Sequence, residues 1–170
     1  MAKEKTLVIV KPDGMERNLI GEIISRFEKE GMKVKALKLF RVTEALLKKH
    51  YPDSLAKIIG EKSIKAGTKI DNPEAHGRKI LEQLRKFLSS GPVVAFVLEG
   101  ENAVFRVREI TGYTDPATAK KGTVRGDLGK DSIAKANEEI RPVKNLVHAS
   151  GTVDEAKSEI ELWFRKEEIY

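Results

Sequence analysis

The first apolar run, Thr6-Leu7-Val8-Ile9-Val10, is β-branched or apolar at every position, which predicts a strand covered on both faces. Lys11 breaks the run and Pro12-Asp13-Gly14 brings turn chemistry, so this strand delivers Lys11 to a loop. From Leu19 the spacing changes to Ile20, Ile23, Ile24 and Phe27, a one-sided helix with Gly31 where a C-terminal cap belongs. Met32 to Val42 reads as a second strand whose alternation slips near Ala36 and Leu37, marking a bulge; Thr43 then caps a short helix to about His50. Residues 52–74 hold Pro52, Gly60, Gly67, Pro73 and many lysines with only fragmentary apolar pattern, which predicts a partly irregular insertion.

Ile80, Leu81, Leu84, Phe87 and Leu88 predict another amphipathic helix, and Gly91-Pro92 turns into a buried strand, Val93 to Leu98. A helix through Ala103, Val107 and Ile110 follows, then a basic loop from Gly112 to Asp127 and an irregular stretch to Lys144. The brief strand Leu146-Val147-His148 runs into a last helix, opened by a Thr152–Glu155 capping box and ending near Phe164. The strong elements run strand, helix, strand, strand, helix, strand: an α+β fold of the ferredoxin-like βαββαβ kind, a sandwich with a four-stranded antiparallel sheet and additional helices. That order carries no function by itself.

At 170 residues, 40% of them hydrophobic, the chain suits one compact domain spanning 1–170. A net charge of +6 favours anionic partners such as nucleotides, nucleic acid or an acidic membrane face. The absence of cysteine excludes disulfide scaffolds, thiolate zinc sites and cysteine nucleophiles. No apolar run approaches a signal-peptide core or a membrane span, so a cytoplasmic protein with no membrane partner is expected.

The chain has three histidines. His50 ends a helix among lysines and His76 sits in a Glu-Ala-His-Gly turn; both read as structural. His148 differs, because it leaves a strand just before the small-residue turn Ala149-Ser150-Gly151-Thr152 at a helix start, where backbone amides attract anions. Eleven residues on, Glu159 lies at the margin of the stripe Val153, Ala156, Ile160 and Trp163, and can point back to hold the imidazole. An imidazole donating one N–H to a carboxylate keeps a lone pair on its other nitrogen for attack on phosphorus, although a satisfied core histidine fits the same spacing. Lys11, Arg108 and Arg125 stand on separate elements; brought together they would stabilise a transferring phosphoryl group, and apart they are ordinary solvated surface.

Val-Lys-Pro-Asp-Gly, Gly-Glu-Ile-Ile-Ser-Arg-Phe-Glu, Ser-Gly-Pro-Val-Val-Ala, Gly-Thr-Val-Arg-Gly-Asp and Asn-Leu-Val-His-Ala-Ser together resemble the nucleoside diphosphate kinase family, in order and spacing across nearly the whole chain. The resemblance implies that His148 is the phosphorylated nucleophile, that Glu159 orients it and that Ser150 brings a hydroxyl near it. It implies that Lys11 and Tyr51 line the site, that Arg108, Thr114 and Arg125 contact phosphates, and that Asn145 helps hold the sugar. It further implies ping-pong transfer between nucleoside tri- and diphosphates with ATP as donor, Mg2+ carried on the nucleotide phosphates, broad base tolerance and a homo-oligomer, hexamer or tetramer, with nucleic acid not required.

Against that pattern, Gly151 replaces a carboxylate after the nucleophile, a change that bears on the geometry of the helix start. Ile80 falls where an aromatic stacks on the base and would offer apolar contact alone. Lys121 replaces a loop proline, which predicts a looser segment, and added residues near 52–78 and 131–142 extend either the nucleotide clamp or a subunit contact. Two other readings fit the residues less well: a nucleotide- or nucleic-acid-binding module that lost transfer, and a structural assembly protein.

Overall fold

The computed structural model describes residues 3–170. In chain order it contains β1 (Lys3–Val10), α1 (Pro12–Glu16), α2 (Ile20–Lys29), β2 (Lys33–Arg41), α3 (Glu44–His50), α4 (Leu55–Lys65) and α5 (Pro73–Ser89). There follow β3 (Pro92–Glu101), α6 (Ala103–Thr111), α7 (Val124–Leu128), α8 (Ile133–Glu138), β4 (Val147–Ala149), α9 (Val153–Trp163) and a closing 3-10 turn, Lys166–Glu168. The four strands form one sheet in the order β2-β3-β1-β4, antiparallel at every pairing. This is the ferredoxin-like α+β arrangement expected from the sequence.

Alternation along the two central strands divides the core. Val8 and Val10 with Val94, Phe96 and Leu98 face one side, where Ile23 and Phe27 of α2 and Ala103 and Val107 of α6 cover them. Leu7 and Ile9 with Val93, Ala95 and Val97 face the other, against Leu47 of α3, Leu88 of α5 and Ile160 and Trp163 of α9. The sheet is therefore buried on both faces, which is why β1 reads as a continuous apolar run. Phe27 and Phe96, both fully buried, meet at 6.0 Å between ring centroids, and burying each such side chain is worth about 1.5–3 kcal/mol. The slip in β2 is a bulge between Val34 and Ala36, where the register against β3 shifts. The pairing of β1 with the edge strand β4 sets Ile9 opposite His148, so β1 fixes the histidine's position along the sheet.

The segments read as irregular are helical in part. Residues 55–65 form α4, and α5 begins at Pro73 under an Asn72 cap, well before Ile80. The buried face of α4 is Ala56, Gly60 and Ser63, small residues at helical spacing, while Ile58 and Ile64 are exposed. Small residues are needed because the backbones nearly touch: a Cβ on Gly60 would lie 1.9 Å from the Pro73 carbonyl oxygen, and one on Gly77 1.7 Å from that of Ala56. The second irregular stretch contains α8, capped by Ser132. Asn137 of α8 is buried, accepting from Ser63 Oγ at 3.3 Å and donating to Thr68 Oγ1 at 2.9 Å, so α8 and α4 are tied together.

The basic loop also holds a helical turn, α7, and it is not loose. Lys121 Nζ donates to the Gly126 carbonyl at 2.9 Å, and Asp127 accepts from the Gly122 N–H and from Arg26. The lysine thus ties the segment that the missing proline was expected to loosen. Among the described residues no helix is long and apolar enough to cross a membrane.

Candidate functional site

One cavity of about 1020 Å3 opens between α3, α4, α8 and the ends of β1, β4 and α9. Lys11, Tyr51, Ile80, Arg108, Thr114, Arg125, Asn145, His148 and Glu159 all line it. Of the residues that the family resemblance assigns to the site, Ser150 alone stands behind the lining, fully buried. The three cations are gathered in one place rather than scattered over the surface.

His148 is the middle residue of the short strand β4. Its Nε2 lies 3.0 Å from both carboxylate oxygens of Glu159. Ser150 Oγ accepts from the Leu7 N–H at 3.3 Å and donates to Glu159 Oε2 at 2.6 Å, so the serine reaches the histidine through the carboxylate. Burial pushes the Glu159 pKa up, but hydrogen bonds from His148 and Ser150 and the nearby imidazoles outweigh it and hold the pKa below the usual glutamate value. An ionised Glu159 accepts only, so it fixes the proton of a neutral His148 on Nε2 and leaves the lone pair on Nδ1. Tyr51 Oη stands 3.5 Å from Nδ1. Burial, and next to it the charge of Glu159, raise the tyrosine's pKa, so it remains a phenol.

His50, set aside in the sequence as a helix cap, belongs to this cluster. Its ring meets those of His148 at 4.6 Å, Tyr51 at 4.3 Å and Trp163 at 5.3 Å between centroids. Trp163 Nε1–H donates to His50 Nδ1 at 3.1 Å, which leaves the His50 proton on Nε2. Burial, and after it the neighbouring His148, push the His50 pKa down to about 3, so the ring stays neutral. The only sequence signal for this was its adjacency to Tyr51. His76, on α5, lies outside the cavity lining, as its structural reading requires.

Lys11 is buried and donates from Nζ to Asn145 Oδ1 at 2.8 Å, while Asn145 Nδ2 donates to the Thr114 carbonyl at 2.9 Å. Burial lowers the Lys11 pKa to about 8, with the Arg125 charge adding to it and Asp13 opposing. Arg125 is buried as well, and its guanidinium grips the carbonyls of Asn145 at 3.1 Å, Gly112 at 3.1 Å and Val147 at 2.7 Å. Three of its five N–H groups are thus spent on the backbone, leaving one on each Nη. Arg108 is exposed at the mouth.

The start of α9 resolves the question raised by Gly151. Thr152 Oγ1 accepts from the Glu155 N–H at 3.1 Å, and the Glu155 carboxylate accepts from the Gly151 N–H at 2.9 Å rather than from that of Thr152. A Cβ on Gly151 would lie 2.5 Å from Glu155 Oε2, so the glycine is what lets Glu155 fold over the turn. A carboxylate is present at the helix start after all, supplied from position 155.

Among the described residues the one grouping of potential metal ligands is His50, His148 and Glu159. It does not suit a resident magnesium ion, which prefers six oxygens; two of the three donors are nitrogens, and Glu159 is already committed to His148 and Ser150.

The family profile described as nucleoside diphosphate kinase matches residues 4–69 and 72–169. The nucleoside diphosphate kinase of Pyrobaculum aerophilum is 45% identical over 99% of both chains, and human nucleoside diphosphate kinase 3 is 39% identical, covering 99% of this chain and 81% of the human one. A crystal structure of the P. aerophilum enzyme superposes with a TM-score of 0.93 at 43% identity, covering 99% of each chain. A Borrelia burgdorferi nucleoside diphosphate kinase, solved as a transition-state mimic with bound vanadate and ADP, gives a TM-score of 0.85 at 38% identity, covering 99% of this chain and 90% of that one. On matches that run through nearly its full length, this chain belongs to the nucleoside diphosphate kinase family.

Proposed function

We propose that the protein moves the γ-phosphate of a nucleoside triphosphate to a nucleoside diphosphate in two half-reactions, through a phosphohistidine at His148. The observation that carries this reading is the asymmetric imidazole: Nε2 is anchored on Glu159 at 3.0 Å, while Nδ1 has only the long 3.5 Å contact from Tyr51 Oη and faces a cavity that holds Lys11, Arg108 and Arg125.

In the first half-reaction Nδ1 attacks the γ-phosphorus, and the bond to the β,γ-bridging oxygen breaks. The diphosphate leaves with that electron pair, and the imidazole becomes cationic, which Glu159 stabilises through Nε2–H. In the second, a β-phosphate oxygen of another diphosphate attacks the phosphohistidine and the N–P bond breaks. Transfer of this kind asks the protein mainly for alignment and charge stabilisation. Lys11, Arg108 and Arg125 supply positive charge at the phosphates, Thr114 contacts them, Asn145 holds the ribose, and Ile80 offers an apolar surface to the base. Tyr51 keeps its proton and packs against the nucleophile, while Ser150 steadies Glu159. Magnesium enters as part of the substrate, on the nucleotide phosphates, with ATP as a donor. None of the contacts to phosphate and ribose reads the base, so broad nucleoside tolerance follows.

The rest of the reading is a single domain with additions near 52–78 and 131–142, where the α4–α8 pairing walls the cavity, acting in the cytoplasm as a homo-oligomer, hexamer or tetramer. Exposed Leu37 and Leu39 on the edge strand β2 support the association. No membrane partner is involved, and nucleic acid is not required. The test is to incubate the protein with γ-labelled MgATP, isolate it and probe the bond: an acid-labile, alkali-stable label is expected, and none in His148→Ala. A His148→Ala protein that still labels and transfers would place the chemistry elsewhere.

A further inference from the structure

Leu146 stands between Asn145 and the strand that carries His148, in a backbone state that leucine disfavours. Its φ is +73°, and the Val147 N–H returns to the Asn145 carbonyl at 2.8 Å, so residues 145–147 form a γ-turn of the strained, positive-φ kind. Glycine would relax the turn, but the Leu146 side chain is fully buried in the core beside Val10 and Val147 and cannot be removed without leaving a hole. Such a turn persists only where its surroundings over-determine it.

Three residues do so. The Lys11 N–H donates to the Leu146 carbonyl at 2.8 Å, and Arg125 holds the carbonyls on either side of it, those of Asn145 and Val147. The third is Asp13, whose Oδ2 accepts the Leu146 N–H at 2.9 Å. Lys11 and Arg125 line the cavity and have roles there. Asp13 does not line it, and its one part so far is its charge, which opposes the lowering of the Lys11 pKa. Yet Asp13 is only 6% exposed, and its buried Oδ1 has no hydrogen-bond partner. Burying a carboxylate with one oxygen left bare is costly; the nearby charges of Lys11 and Arg125 offset part of that cost, and the hydrogen bond from the Leu146 N–H offsets more.

We infer that Asp13 is a positioning residue for phosphate transfer: by clasping the Leu146 amide it holds the strained turn that sets Asn145 and His148 at their places in the cavity. The effect reaches the nucleophile through the backbone. The turn aims Asn145 at Lys11 and, two residues on, starts the pairing of Val147 and His148 with β1. Released, the turn relaxes toward negative φ and swings the two functional side chains relative to each other, while the apolar core on either side stays filled.

The inference rests on the phosphohistidine reading, and the experiment separates the two. Single-turnover phosphorylation by saturating γ-labelled MgATP is measured for wild type, Asp13→Ala and Asp13→Asn, each checked for cooperative unfolding. Asp13→Ala is expected to slow labelling at least tenfold. Asp13→Asn, whose amide oxygen still accepts the Leu146 N–H, is expected to recover to within threefold of wild type and to keep the Leu146 amide protected in hydrogen exchange. Labelling by Asp13→Ala within twofold of wild type overturns the inference. So does Asp13→Asn labelling tenfold more slowly than wild type, since that would make the charge, not the clasp, the contribution; this arm decides the matter even if Asp13→Ala does not fold. Wild-type protein that takes no label on His148 sinks the functional reading and this inference with it.

Discussion

Glu159→Gln isolates the contact on which the nucleophile depends. The substitution keeps shape and volume, so the side chain still packs on α9, but it removes the charge that fixes the His148 proton on Nε2. Glutamine has one acceptor oxygen where the carboxylate serves two donors, His148 and Ser150. If the oxygen stays with Ser150, the amide NH2 faces Nε2 and favours the tautomer protonated on Nδ1, which has no lone pair to attack phosphorus. If it turns to His148, the bond is neutral and the developing imidazolium is no longer offset. Either way a hydrogen bond to a charged group is lost, worth about 1.5–3 kcal/mol, which corresponds to a roughly 10- to 150-fold slower reaction. The assay is the single-turnover rate of phosphoenzyme formation at saturating MgATP, with nucleotide affinity measured separately. The loss is expected in the rate and not in the affinity, because Glu159 acts on the imidazole and not on the bound phosphates. A Glu159→Gln protein that phosphorylates within twofold of wild type would show that the Glu159 charge does not hold the nucleophile ready.

Other consequences follow from the same geometry. Because the Lys11 pKa is pushed down to about 8, kcat/KM for nucleotide should fall as pH rises through about 8, and a profile flat to pH 9.5 would contradict this. The stability effect has the opposite sense: between about pH 8 and the unfolded value of 10.5 the unfolded chain binds the extra proton, so this group makes stability rise across that window, and Lys11→Met, inactive, should lose that rise in pH-dependent melting curves. Gly77→Ala places a Cβ 1.7 Å from the Ala56 carbonyl oxygen and should cost about 1–3 kcal/mol, lowering Tm by roughly 2–12 °C; an unchanged Tm would mean that α4 and α5 do not cross so closely. Ile80→Phe, at the cavity wall, should lower KM for nucleotides by adding a stacking face, and an unchanged KM would show that the base sits elsewhere.

Legibility in the sequence tracked how each element is held. The strands β1 and β3 and the helices α2 and α6 are held by apolar burial, which leaves a periodic signature, and even the β2 bulge showed as a broken alternation. Helix α4 left none, because its contact with α5 is made by Ala56, Gly60 and Ser63, whose virtue is their lack of side chain. Helix α8 is docked by one buried amide, Asn137, through partners 69 and 74 positions away, a distance that no local pattern spans. In the site, the pairing of His148 with Glu159 was legible as one of two readings, and the gathering of Lys11, Arg108 and Arg125 became legible only through the resemblance to the family. Two things were not: His50 becomes a neighbour of His148 only because Trp163, 113 positions away, takes its Nδ1, and Arg125 reads as a phosphate ligand although most of its donors serve the backbone. The carboxylate missing at Gly151 was one turn ahead, at Glu155, and only the fold of the helix start brings it back.

The central claim, that one imidazole carries the phosphate between two nucleotides, is tested most directly by a chase. Protein labelled by γ-32P MgATP is freed of nucleotide and mixed with magnesium and unlabelled GDP, CDP or UDP. Each diphosphate should strip the label from His148 within the turnover time and be recovered as the labelled triphosphate. Label that stays on the protein, or is released as inorganic phosphate without a triphosphate product, would contradict the claim.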